Sequence, residues 1–164
     1  MKDPIVLTKA FITYVRPVLE YCTSVWSPHT QCSINKIESC QRWFTKRIYG
    51  LSGMQYSERL ASLGLDSLQV RRLKCDLTMC YKIIHSNAVI HSQDFVIYSD
   101  YLSTRGHKYK LFKRHSSVNA YKNYFINRIC DIWNMLPDTV VDASNVNTFK
   151  SRLDSIDLRK HCIS

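Results

Sequence analysis

The residues of this chain best suited to chemistry lie in "RGHKYKLFKRH", Arg105 to His115. Arg105, Lys108, Lys110, Lys113 and Arg114 alternate there with Tyr109 and Phe112, and no acidic residue occurs from Tyr101 to Cys130. Lysine and arginine gain affinity for phosphates by releasing counterions, and aromatic rings offer faces on which unpaired bases stack. The pattern therefore points to RNA or DNA. Arg71 and Arg72, on the opposite side of their helix from Leu73 and Leu77, would extend the same patch. The competing reading is a solvated basic loop anchored by its aromatics.

Other chemistries find no constellation. There is no paired-carboxylate block, no G-x-S-x-G, no phosphate-cradling glycine loop and no H-E-x-x-H. The carboxylates are thinly spread, so no catalytic residue is expected. Metal ligation fares no better. The closest cluster is Cys75, Cys80 and His85, and steps of five along a helix turn such residues in different directions. No metal, cofactor or small-molecule ligand is expected in this chain. Most of the thiols read as small core hydrophobes.

The whole sequence sets the frame. It has 164 residues, 45% apolar content and only four glycines and four prolines, which suits one folded domain. A net charge of +10 again favours a polyanionic partner. No signal peptide and no apolar run long enough to cross a membrane are seen, so no membrane partner is expected. Seven scattered cysteines suit an intracellular, reducing compartment.

Helices must position these residues. Asp3 and Pro4 open one through Ile5, Phe11, Ile12 and Val15. Pro17 then kinks it, or ends it and starts another through Leu19 to Trp26. Ile34, Ile37, Cys40, Phe44 and Ile48 follow helical spacing toward Gly50. A short helix at Ser57 to Leu63 stops at Gly64, and Asp66 or Ser67 caps the longest pattern, with Val70, Leu73, Leu77, Tyr81 and Ile84 on one face. Tyr121 to Trp133 is helical, and Asn147 caps a last helix through Phe149, Leu153 and Ile156. Trp26 and Trp133 are expected in the core. The fold class is mostly α: an irregular helical bundle with one long basic crossover loop, in which Phe95–Tyr98 has the pattern of a short strand.

Several blocks resemble the C-terminal part of reverse transcriptases from LINE-type, jockey-like non-LTR retrotransposons. "YVRPVLEYCTSVWSP", Tyr14 to Pro28, is similar to that family's "RP-x-LEY-x-x-x-VWSP". "IESCQR", Ile37 to Arg42, followed by Tyr56, Arg59 and Leu60, resembles the next block. "LGLDSLQVRRLKCDLTMCYKIIH", "STRGHK" and "WNMLPDTVVDASNVNTFKSRLD" follow in the family's order. The resemblance implies a thumb-like helical region over residues 1–85 and a C-terminal domain after it. The loss of periodicity marks a basic crossover over 86–117, leaving a C-terminal helical region over 118–164 that is expected to pack on the first. It implies a truncated RNA-directed DNA polymerase that retains template and primer binding but lacks the palm, with the palm's paired aspartates and Mg2+. The alternative is a helical protein–protein interaction module with no nucleic-acid role.

Overall fold

The computed structural model describes residues 3–85, 97–98 and 106–162, and they form two compact units that divide between Arg72 and Leu73. Both are mostly helical. Among the described residues the only β feature is an isolated antiparallel bridge from Tyr98 to Leu111. Phe95, where a strand was expected to start, lies outside them. No helix among the described residues is long and apolar enough to cross a membrane.

In the first unit, Asp3 Oδ1 accepts from the Ile5 amide at 2.9 Å and opens α1, Pro4–Ala10. The chain then widens into a π-helical turn, Phe11–Val15, where the Arg16 amide donates to the Phe11 carbonyl. A short α2, Arg16–Glu20, follows with Pro17 in its first turn. Proline offers no amide and its ring crowds the carbonyl four residues back, and the wider turn relieves that crowding. The expected helix through Leu19 to Trp26 does not form. Tyr21 is extended, Cys22 has φ +51°, and the Val25 and Trp26 amides both donate to the Cys22 carbonyl.

Thr30 caps α3, Gln31–Lys46, by accepting from the Ser33 amide. The deepest stripe of α3 is not the expected apolar one. It is Ile34, Glu38, Gln41 and Thr45, continuing to Ile48 beyond the helix end. Burying Glu38 and Gln41 is tolerable because the Glu38 carboxylate and the Gln41 amide nitrogen are paired, although Gln41 Oε1 is buried without a partner among the described residues. Glu38 accepts from the Tyr56 hydroxyl and, at 3.2 Å, from the Leu68 amide. Gln41 Nε2 donates to the Tyr56 oxygen at 3.1 Å and to the Asp66 carbonyl at 2.9 Å, while Arg59 Nε donates to Thr45 Oγ1 at 3.2 Å. Burial, together with the Glu38 hydrogen bond, holds the Tyr56 phenol well above its ordinary range. Tyr56 and Arg59 belong to α4, Tyr56–Leu63, which ends as expected on Gly64 at φ +62°, a left-handed conformation that favours glycine.

The helix α5, Leu68–His85, begins in the first unit and continues into the second; Ser67 Oγ accepts from the Val70 amide at its start. The second unit adds α6 (Asn119–Lys122), α7 (Phe125–Asn134), α8 (Asp138–Val141), α9 (Val146–Asp154) and a 3-10 turn at Arg159–His161. The expected helix at Tyr121–Trp133 is thus broken before Phe125. The cap of α9 is Asn145, whose Oδ1 accepts from the Thr148 amide at 2.8 Å, rather than Asn147.

Leu77, Cys80, Ile129, Cys130, Trp133, Val141, Phe149 and Leu153 fill the core of the second unit. Tyr81 stacks on Phe149 at 4.4 Å between ring centroids and donates to the Ala143 carbonyl. Burial pushes the Cys80 thiol up strongly and raises that of Cys130 to about 11, so both are inert packing groups. Trp133 is fully buried as expected. Trp26 is not: the residue is 43% exposed.

Candidate nucleic-acid interface

Within the second unit, α7 grips the described end of the crossover. Trp133 Nε1 donates to the Tyr109 carbonyl at 2.8 Å, and His107 Nε2 lies 2.9 Å from the Trp133 carbonyl. Asn134 makes a reciprocal pair with Leu111, accepting from its amide at 2.8 Å and donating to its carbonyl at 2.9 Å. The Phe112 amide donates to the Ile97 carbonyl at 2.7 Å. Apolar burial of Leu111 supplies the anchor, and these bonds satisfy the backbone on either side of it. Gly106 has φ +112°, and a Cβ there would stand 2.9 Å from Lys110 Cε, so glycine lets the chain turn into this segment.

The expected strip is divided by this anchoring. Arg105 lies outside the described residues. His107 is buried. Tyr109 is half-buried, with the edge of His85 at 4.5 Å and Lys108 Nζ 5.0 Å from its ring centre, so it serves as an anchor rather than an open stacking face. Lys108 pairs with Asp142 at 3.3 Å, and that carboxylate raises its ammonium above the ordinary value. Lys113 pairs with Asp131. Two of the charges are therefore met by carboxylates from elsewhere in the chain. Lys110 is half-buried beside Gly106.

What stays outward lies further along. Phe112 is 49% exposed, and Arg114, His115 and Lys122 are exposed. Tyr121 and Tyr124 are exposed too, their rings parallel within 6° at 6.2 Å. Besides the paired Lys113, the stretch from Phe112 to Tyr124 thus turns Arg114, His115, Lys122 and three rings outward, and its sequence has no acidic residue. The sequence pattern does not single out the two tyrosines, although the i, i+3 spacing of "YKNY" is a signal for them.

Arg71 and Arg72 are both engaged within the first unit. Arg71 forms an ion pair with Glu20. Arg72 is 4% exposed, donates to the Leu19 and Trp26 carbonyls at 2.6 Å each, and lies 4.0 Å over the Trp26 ring. Both arginines fasten the turn that follows α2. Arg128 likewise points inward, to Asp76 at 2.9 Å.

Among the described residues no three His, Cys, Asp or Glu side chains are grouped to hold a metal ion. His85 stacks on Tyr81 instead of meeting Cys75 or Cys80 as a ligand set. No family model, no curated protein and no solved structure matches the chain.

Proposed function

We propose that this chain is a non-catalytic binder of single-stranded nucleic acid, and that it represents the post-palm part of a retrotransposon reverse transcriptase. The observation that carries the binding is the outward run Phe112–Tyr124, whose sequence holds no acidic residue and in which Arg114 and Lys122 accompany the exposed rings of Phe112, Tyr121 and Tyr124, while Asp131 pairs with Lys113. Phosphates meet the bases through charge, while unpaired bases stack on the rings. The origin rests on the resemblance alone. The motif residues Glu38, Gln41, Tyr56, Arg59 and Arg72 are packing and hydrogen-bonding residues, which suits a folded binding region of such a polymerase, whose chemistry and Mg2+ would belong to its palm. The exposed thiols of Cys22, Cys32 and Cys40 suit a reducing, intracellular compartment.

Fluorescence anisotropy with labelled single-stranded and duplex oligonucleotides across a salt series tests the binding. Arg114→Gln with Lys122→Gln should flatten the slope of log affinity against log salt by about 0.7 for each phosphate no longer neutralised on single strands. Phe112→Ala should cost single-stranded binding about 1–3 kcal/mol and spare duplex binding. Unchanged affinity and slope in a folded double variant would refute the proposal.

A further inference from the structure

In the first unit, the π-helical turn and α3 enclose an apolar groove of about 440 Å3 lined by Phe11, Val15, Ser39, Cys40, Trp43 and Phe44. Its floor is the stack of Phe11 on Phe44, 4.3 Å between centroids. Beside it, Tyr14, Val15 and Val18 are exposed, and Trp43 is 60% exposed. A helix that is apolar on its outer face as well as its inner one is built to be covered.

Charge identifies the cover. Lys36 stands one turn before Cys40 on α3, and Arg47 one turn after Trp43, its guanidinium 3.4 Å over the indole. Lys46 is exposed on the same end. The walls offer nothing to neutralise these bases. The one carboxylate of α3, Glu38, is buried against Tyr56 and the Leu68 amide. The one carboxylate between Pro4 and Glu20 is Glu20 itself, paired with Arg71 and Arg16. A second copy of this chain would bring the same basic rim and a net charge of +10, and like charges face to face repel.

We propose that this groove docks an acidic amphipathic helix, its apolar stripe against Val15, Cys40 and Trp43 and its carboxylates on Lys36, Lys46 and Arg47. Lys36 to Arg47 spans about 16 Å along the helix axis, the length of three helical turns of a partner.

The full chain is titrated against a fluorescein-labelled, helix-stapled peptide of about 14 residues, with leucines at i, i+3, i+4 and i+7 and glutamate elsewhere. A second peptide carries lysine in place of every glutamate. The glutamate peptide should bind about tenfold or more tightly than the lysine peptide, lose affinity with salt, and slow alkylation of Cys40 by iodoacetamide but not that of Cys22. Val15→Glu should weaken it about tenfold with unchanged melting, since the position is exposed. Lys36→Glu with Arg47→Glu should reverse the preference between the peptides. Four results would overturn the proposal: equal binding of both peptides, binding of neither, an unprotected Cys40, or a dimer in sedimentation that Val15→Glu abolishes. Protection of Cys40 by a single-stranded oligonucleotide in place of the peptide would overturn it as well.

Discussion

Replacing Arg72 by glutamine separates a structural arginine from a phosphate-binding one. Its guanidinium makes two 2.6 Å hydrogen bonds to the Leu19 and Trp26 carbonyls and covers the Trp26 ring at 4.0 Å. Hydrogen bonds from a charged donor are worth about 1.5–3 kcal/mol each, and a partly desolvated cation–π contact adds about 1 kcal/mol. Against this stands the cost of having buried the guanidinium, which the variant recovers, leaving a net loss of about 3 kcal/mol. For a chain of this length that corresponds to a fall of about 6–12 °C in Tm. Urea unfolding followed by tryptophan fluorescence measures it, with Trp26 as a local reporter. Oligonucleotide affinity and its salt slope, measured below the transition, should stay at wild-type values. Wild-type melting combined with a slope flattened by about 0.7–0.9 would refute the reasoning and put Arg72 on a phosphate.

Trp133→Phe keeps most of the buried ring but leaves the Tyr109 carbonyl without its donor, and should cost about 1–2 kcal/mol; Trp133→Ala should cost about 3–5 kcal/mol in the same urea titration. Equal stability of the phenylalanine variant and wild type would show that the indole nitrogen does not hold the crossover. Burial is the largest influence on His85 and lowers its pKa below the ordinary 6.5. The unfolded chain therefore binds a proton that the folded chain resists, so this contribution is complete above pH 6.5 and is lost as pH falls from there through the lowered folded value. His85→Phe, which keeps a ring against Tyr81, should flatten the decline of Tm with acid; an unchanged profile would refute the assignment.

Local rules made several elements legible. The Asp3 cap with Pro4, the left-handed stop at Gly64, the long helix after Ser67 and the burial of Trp133 all follow from residues within a turn or two of one another, together with apolar periodicity. The mostly helical class follows from the same signals. Long-range pairing decided the rest. Arg72 reads as an outward base on its helix, yet carbonyls 53 and 46 residues earlier claim it. The acid-free crossover reads as uncompensated, yet Asp142 and Asp131 fold back onto Lys108 and Lys113. On α3 the apolar stripe reads as the buried face, whereas Glu38 and Gln41 occupy it because Tyr56, Asp66 and Leu68 supply their partners. Polarity tells a sequence reader what burial would cost a side chain; only the tertiary structure supplies the hydrogen bonds and opposite charges that offset that cost.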